Sequence, residues 1–251
     1  AHAPEIFTNE QARSILSMQA GSVNQKLSRW SKSGYLRRIR KGVYLQVPNY
    51  IEEPQEWFGD EFKLALSTWP NAYFTGWTSA NHWGLTEQVF RKLVLATSER
   101  VRTETQSLPA SKFLVKRIKK LDLTWGLVDE WRDGSKISFA NPSRTVLDVM
   151  TYPELGGGIR LGSEFLKAYL DDFNIHELIN DAELHCSRAG IKRLGFLLEL
   201  NGYSNRSEIE RLRKRLSKGI ISLDPSKPPV GSRIMKWNIL INTRIEAEER
   251  S

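Results

Sequence analysis

The stretch that decides the fold runs from residue 22 to residue 44 and reads SVNQKLSRWSKSGYLRRIRKGVY. Its first half places apolar side chains at the i, i+4, i+7 spacing of one helix face, namely Val23, Leu27 and Trp30. Gly34 then provides a helix terminator. The second half alternates apolar and polar residues around Lys41-Gly42, which is typical of a hairpin. We therefore predict a helix over residues 22–33, followed by two strands and a tight turn.

Most of the net charge lies in the same region. The first fifty residues contain eight lysines and arginines and only two acidic residues, so they carry +6 of a formal net charge of +8. So local an excess indicates a polyanionic partner. A short helix followed by a basic hairpin is the way in which a winged helix-turn-helix domain meets duplex DNA.

The outward faces of this helix and hairpin supply the predicted DNA contacts. Amides pair with adenine, guanidinium groups with guanine, and hydroxyls with bases or phosphates. On the helix we predict that DNA is contacted by Ser22, Asn24, Gln25, Ser28, Arg29 and Lys32. On the hairpin we predict phosphate or minor-groove contacts from Arg37, Arg38, Arg40 and Lys41.

Two capping boxes mark helix starts in the N-terminal segment. Thr8 with Gln11 predicts the start of a first helix, and Ser22 with Gln25 predicts the start of the second. Gly21, between them, is expected to end the first unit. A helix, a turn and a second helix would then precede the hairpin.

A linker is predicted between two domains. Residues 47–55 read VPNYIEEPQ, with two prolines and two acids in nine residues. A chain of 251 residues is long enough for two domains. We predict a winged helix-turn-helix domain over residues 1–47, a linker over 48–55 and a larger mixed α/β domain over 56–251. The fold class is therefore α/β in the broad sense, with α+β organisation.

The second domain carries alternating strand-like and helical patterns. Strands are predicted over residues 89–97, 113–118, 123–128 and 136–140. Asn141-Pro142 predicts the start of a helix that reaches about residue 150, because Asn caps and Pro suits the first helical position. The triple glycine at residues 156–158 matches no phosphate-binding motif and is expected to form a loop.

No pattern in the chain predicts a catalytic centre, a metal site or a cofactor. A single cysteine, Cys186, excludes an internal disulfide and is expected to be an inert, partly buried thiol. Apolar runs are too short for a membrane helix and no signal peptide is recognisable, so a cytoplasmic protein that is not an enzyme is expected. The alternative is a DNA-processing enzyme, a nuclease or glycosylase with a basic head. Its best candidate residues would be Tyr73, His82, Asp148 and Lys192.

Two further basic segments allow an additional nucleic-acid contact or a merely solvated surface. One runs from Lys112 to Lys120, and the other from Arg206 to Lys218. In the second segment Ile209, Leu212 and Leu216 form a predicted buried stripe. Arg144 and Asp148 stand four residues apart on the predicted helix, where a structural ion pair is expected.

Seven short motifs, taken together in their order, resemble the AbiEi-type antitoxins of type IV abortive-infection toxin–antitoxin systems. They are FTNEQA at 7–12, LRRIRKGVY at 36–44, YFTGWTSA at 73–80, HWGLTEQ at 82–88, SRTVLD at 143–148, KRLGFLLE at 192–199 and LDP at 223–225. Each is weak alone, but together they span nearly the whole chain.

The resemblance implies a two-domain repressor and antitoxin. Its N-terminal winged helix would bind repeats in its own promoter, and its C-terminal α/β domain would supply the antitoxin activity. The paired toxin in such systems resembles a nucleotidyltransferase, and the antitoxin opposes it without a stable complex.

Overall fold

The computed structural model describes residues 4–53, 57–101, 104–108, 111–119, 123–203 and 206–245. Within them, a small N-terminal module precedes a larger unit with a six-stranded mixed sheet and helices on both of its faces. The mixed α/β fold class predicted from the sequence is confirmed.

The N-terminal module contains two helices and a three-stranded antiparallel sheet of order β1-β3-β2. Its elements are β1 (Ile6–Thr8), α1 (Asn9–Leu16), α2 (Ala20–Lys32), β2 (Leu36–Arg40) and β3 (Val43–Gln46). The helix-turn-helix and the hairpin are as predicted, whereas β1 was missed because three residues are too few to show a strand period. Gly42 forms the hairpin turn with φ +79°.

The first of the two capping boxes is confirmed and the second is wrong. Thr8 accepts from the Gln11 backbone N–H at 3.2 Å, and the Gln11 side chain accepts from the Thr8 N–H at 2.8 Å. Helix α2, however, begins at Ala20 with Gln19 as its cap, so Gly21 and Ser22 lie inside its first turn. Val23, Leu27 and Trp30 form the same buried stripe whether the helix begins at Ala20 or at Ser22, so packing does not require it to begin at Ser22.

The N-terminal sheet is covered on both faces. A register shift between Arg38 and Arg40 displaces the alternation of β2. Leu36 packs with Phe7 and Tyr44 under α1 and α2, whereas Ile39 packs with Leu45 on the opposite face. Leu64 of the larger unit completes this second cluster, and both it and Leu45 are fully buried. The hydrophobic core therefore crosses the predicted linker.

The central sheet of the larger unit has the strand order β6-β7-β5-β4-β9-β8. Its strands are β4 (Tyr73–Phe74), β5 (Lys92–Thr97), β6 (Thr105–Leu108), β7 (Ser111–Arg117), β8 (Leu127–Arg132) and β9 (Ser135–Ala140). One face packs against helix α3 (Glu61–Thr68), whose Ala65 lies on a cluster with Phe74, Phe113 and Phe139. Asp60 caps α3 by accepting from two backbone N–H groups.

The strand predicted over residues 123–128 is wrong in its position. Gly126 has φ +57°, which interrupts an extended chain, and β8 begins only at Leu127. The strand β6 was not predicted. The strand predicted over 89–97 begins three residues later than expected, because Val89, Phe90 and Arg91 form an exposed loop.

On the other face of the sheet lie the helices that form the main hydrophobic core. Its helices are α4 (Gly76–His82), α5 (Pro142–Thr151), α6 (Ile159–Asp172), α7 (Ile175–His185), α8 (Arg188–Leu200) and α9 (Arg206–Lys214). Asn141 caps α5 with Pro142 at its first turn, as predicted. The triple glycine is a tight turn: a Cβ at Gly157, where φ is +76°, would lie 2.4 Å from the Trp77 ring.

The KRLGFLLE motif anchors the C-terminal segment on α8. A small sheet of β10 (Ile221–Ser222), β11 (Ser232–Ile234) and β12 (Ile239–Ile241) contributes Trp237 and Ile239 to the core. Arg193 is buried and donates to the carbonyls of Met150, Ser222 and Leu223. Glu199 accepts from the Trp237 indole at 2.8 Å. These hydrogen bonds tie the C-terminal segment to α5 and α8 while satisfying buried polar groups.

Candidate nucleic-acid interface

Helix α2 presents all of its predicted contact residues to solvent. Val23 and Leu27 face the module core, and the six polar side chains on the remaining faces are exposed or only partly buried. These are Ser22, Asn24, Gln25, Ser28, Arg29 and Lys32. The outward face therefore combines hydroxyl, amide and cationic groups, which is the chemistry of base and phosphate recognition.

The start of α2 adds a feature that the sequence analysis missed. No side chain caps this helix, and its first three residues, Ala20, Gly21 and Ser22, are small and exposed. A Cβ placed on Gly21 would meet nothing within 4 Å. Backbone N–H groups at an uncapped helix start attract anions, and small side chains allow a phosphate to approach them. The run of small residues at positions 20–22 was the signal in the sequence.

Asn24 is held in place by the preceding helix. Its Oδ1 accepts a hydrogen bond of 2.7 Å from the Asn9 amide at the start of α1. The acceptor is thus engaged within the module, and the side-chain NH₂ of Asn24 is the group that remains for DNA. This hydrogen bond also links the two helices of the helix-turn-helix.

The hairpin separates its four basic residues into two pairs. Arg38 and Lys41 are exposed. Arg37 lies opposite Leu45 on the face that meets the larger unit, where its guanidinium stacks 4.0 Å from the Phe58 ring and donates to the Trp57 carbonyl at 3.1 Å. Arg40 donates to the Ser67 carbonyl at 3.3 Å, although much of its side chain is exposed. Strand alternation and the bulge thus direct two of the arginines toward the larger unit.

A buried lysine joins the two units further. The Lys63 ammonium, whose side chain is 9% exposed, pairs with Glu5 at 2.8 Å and with Asp133 of the β8–β9 turn at 3.2 Å. These two carboxylates raise the pKa of Lys63 against the opposing effect of burial. The bridge ties the start of the N-terminal module to α3, and the Leu45–Leu64 cluster ties β3 of the hairpin to the same helix. The predicted domain boundaries remain a prediction, and these interactions cross them.

The two further basic segments differ in how much of their charge is neutralised. Between Lys112 and Lys120, the ammonium of Lys116 pairs with Glu104 and Glu154, while Lys112, Arg117 and Lys119 are exposed. Lys120 lies outside the described residues. Between Arg206 and Lys218, Arg211 pairs with Glu183 and Arg213 with Glu210. The predicted buried stripe of Ile209, Leu212 and Leu216 is confirmed, with Leu216 partly buried.

The candidate residues of the alternative enzyme do not share one site. Tyr73 and Asp148 do meet, through a hydrogen bond of 2.8 Å, and Asp148 also accepts from Thr75 at 2.7 Å. Arg144 completes the cluster as the predicted ion pair, with Nε 3.6 Å from Asp148. Burial raises the pKa of Asp148, opposed by Arg144, and it raises the pKa of Tyr73 well above its ordinary value. The phenol therefore stays protonated and serves as a donor.

His82 and Lys192 lie elsewhere and have partners of their own. The His82 ring stacks on Phe139 with centroids 4.2 Å apart, and its Nε2 lies 2.8 Å from Glu130. Lys192 is buried on α8 and donates to the Gly219 carbonyl. Cys186 is half-buried beside Thr151, and burial raises the pKa of its thiol to about 12, so it stays protonated and inert at neutral pH.

Two features are absent from the part of the chain that the structure describes: a metal site and a membrane-spanning helix. The described part contains no group of three or more His, Cys, Asp or Glu side chains placed to hold a metal ion. It also contains no helix with the length and apolar character needed to cross a bilayer.

A helix-turn-helix with an exposed polar second helix, followed by a basic two-stranded wing, is the arrangement of a winged helix-turn-helix module. Residues 3–45 match the family described as transcriptional regulator, AbiEi antitoxin, so the resemblance predicted from the sequence is confirmed over this segment.

The whole fold is similar to a known crystal structure. That structure is the RV2827C protein from Mycobacterium tuberculosis, with a TM-score of 0.63 and 13% sequence identity. The match covers 94% of this chain and 86% of the other. At this identity the likeness shows a shared fold. No curated protein matches the chain in sequence.

Proposed function

We propose that the chain is a DNA-binding repressor and the antitoxin of a type IV toxin–antitoxin system. It would bind operator repeats of its own promoter through α2 and the wing, and so autoregulate its operon. Its larger unit would oppose a nucleotidyltransferase-like toxin without a stable complex, as part of abortive infection and antiviral defence. The observation that carries the proposal is the exposed polar face of α2, within the segment that matches the AbiEi regulators.

DNA binding is expected to depend on the exposed cations and not on all the basic residues of the hairpin. Replacing Arg29, Lys32, Arg38 and Lys41 with alanine should weaken binding to every duplex and reduce the salt slope by about 0.9 for each phosphate that is no longer neutralised. A control for charge loss elsewhere is the double variant R160A/R233A, which removes two exposed cations from the larger unit and is compared per charge removed. Fluorescence anisotropy with upstream DNA of the operon, over a range of salt concentrations, measures both quantities.

Sequence discrimination is a separate readout in the same assay. Gln25→Ala or Ser28→Ala should lower the preference for the upstream DNA over a scrambled duplex, by about 1–3 kcal/mol for each base that is no longer read. Their affinity for scrambled DNA should be unchanged, because neither side chain carries a charge. Equal binding of the wild-type protein to operator and scrambled DNA would overturn the repressor proposal.

Antitoxin activity is expected to survive the loss of DNA binding. Full-length protein is the suitable material, because Leu45 and Leu64 share a buried cluster across the predicted linker. Co-expression of the adjacent toxin gene with the R29A/K32A/R38A/K41A variant from an unrelated promoter should restore growth as well as the wild type does. Failure of this variant to rescue, at equal protein level, would mean that repression is the antidote.

The proposed function is not enzymatic. This part of the proposal is supported by the structural partners of His82, which pairs with Glu130, and of Lys192, which bonds the Gly219 carbonyl. Incubation with operator DNA and magnesium separates the two classes. Nicks or abasic sites that disappear in His82→Ala or Asp148→Asn protein would favour the DNA-processing enzyme.

A further inference from the structure

A cavity in the larger unit lies apart from the winged helix and has no part in the proposed operator contact. It occupies about 320 Å³ between α3, α4, the exposed residues Val89 and Phe90, and the sheet. The residues that give it its chemistry are Asn81, His82, Phe90, Lys92, Arg132 and Phe139. Its volume accommodates one nucleobase or a ligand of similar size, and it is too small for a duplex.

One side of the cavity is aromatic. Phe90 packs with one side against the Trp77 ring and is still 45% exposed, and the adjacent Val89 is 90% exposed. His82 and Phe139 form a parallel stack beneath the cavity, with an interplanar angle of 8°. The Arg132 guanidinium lies over the Phe139 and Phe62 rings, 5.5 and 4.8 Å from their centroids. An exposed aromatic ring is the usual platform for an unstacked base, and Phe90 is exposed here.

Two adjacent lysines lie on strands β5 and β7, and one of them, Lys92, lines the cavity. Lys92 and Lys112 are register partners on the parallel strands β5 and β7, and both are exposed. Lys116 and Lys136, also on the sheet, pair with carboxylates, whereas among the described residues neither Lys92 nor Lys112 forms an ion pair. Like charges side by side repel, so this arrangement favours the binding of an anion.

The remaining polar groups suit the edge of a base. Asn81, in the last turn of α4, is exposed and offers both a donor and an acceptor. Glu61 also lines the cavity. Its negative charge disfavours a phosphate inside the cavity. The charges therefore place phosphates outside, at the two lysines, and the base inside.

We propose that this cavity binds one unpaired base of a single-stranded nucleic acid, with the flanking phosphates on Lys92 and Lys112. Phe90 stacks on the base and Asn81 reads its edge. The site is independent of the operator contact, since its residues lie on α4, the loop before β5, β5 and β7, and those of the operator contact lie on α2 and the wing. The larger unit would thus bind single-stranded nucleic acid, while α2 and the wing bind duplex DNA.

The test uses full-length protein and labelled oligouridylate and oligothymidylate of about eight nucleotides. Fluorescence anisotropy should show that K92A/K112A and F90A each weaken binding about tenfold, and that the lysine double variant lowers the salt slope by about 1.4, the value for two single-strand phosphates. Asn81→Ala should change the ranking among homopolymers of different bases. Tighter binding of one of the two probes would identify RNA or DNA as the ligand.

Two controls test whether the loss of oligonucleotide binding is specific to the cavity. K136A/K227A removes two lysines that lie away from the cavity, and it should bind the oligonucleotides like the wild type. A scrambled duplex should bind equally to the wild type and to K92A/K112A, because its contact surface is α2. The proposal is overturned if the wild type does not bind the oligonucleotides, or if the cavity variants bind them unchanged. It is also overturned if K136A/K227A loses as much oligonucleotide affinity as the cavity variants do, or if K92A/K112A loses as much affinity for the duplex as for the oligonucleotides.

Discussion

Replacing Asp148 with alanine is expected to lower the free energy of unfolding by about 3–5 kcal/mol, because it removes the carboxylate that pairs with the buried Arg144 guanidinium. Arg144 is 1% exposed and lies between the Tyr73 and Trp125 rings, 4.0 and 4.7 Å from their centroids. The same change removes the acceptor of the Tyr73 and Thr75 hydroxyls. Urea denaturation followed by tryptophan fluorescence measures the decrease.

A double replacement distinguishes this charge effect from a simple loss of packing. R144M/D148L removes both charges, so it should regain the part of the lost stability that comes from the buried charge, whereas the cost of leaving the Tyr73 and Thr75 hydroxyls without an acceptor remains. The Asp148→Asn variant retains one acceptor oxygen and should lie between the wild type and D148A. If the free energy of unfolding of D148A fell by less than about 1 kcal/mol, this would contradict the view that the cluster of Tyr73, Thr75, Arg144 and Asp148 holds the sheet on α5.

The second large effect is expected at Gly195. A Cβ placed there would lie 2.1 Å from the Trp237 ring, which is fully buried. Gly195→Ala should therefore force the indole out of its position against α8 and cost about 3 kcal/mol or more, a value at the upper end for overpacking. Thermal unfolding monitored by circular dichroism measures the change.

The matched control for this prediction is another glycine-to-alanine change. A Cβ at Gly219 would meet nothing within 4 Å and its φ is not in the left-handed region, so Gly219→Ala should leave stability nearly unchanged. In a Trp237→Leu background the clash is gone, and Gly195→Ala should then cost far less than in the wild type. Additive effects of the two changes would show that the ring and the glycine do not meet.

Both clusters lie within motifs that carry the family resemblance. Asp148 ends the SRTVLD motif, and Gly195 is central to KRLGFLLE, where Lys192 and Arg193 bind backbone carbonyls and Glu199 holds Trp237. These motifs therefore have roles in the fold. The cavity at Asn81 and Lys92 is the place where we propose that the larger unit binds a ligand.

The sequence by itself determined the features that depend on neighbours along the chain. The stripe of Val23, Leu27 and Trp30 follows from helical periodicity, the cap at Thr8 from its spacing to Gln11, and the start of α5 from Asn141-Pro142. The outward-facing polar residues of α2 follow from the same stripe, because the face opposite a buried face is solvated. For this reason the helical half of the candidate interface was predictable.

Only the tertiary structure decided which basic residues of the hairpin face solvent. Arg37 and Arg38 are neighbours in sequence and alike in charge, yet Arg37 packs on Phe58 and Arg38 is exposed. The strand alternation gives them opposite faces, but what covers each face depends on α3, more than twenty residues later in the chain. Contacts between distant segments, such as Leu45 with Leu64 or Gly195 with Trp237, leave no local period in the sequence, and for that reason only the folded chain reveals them.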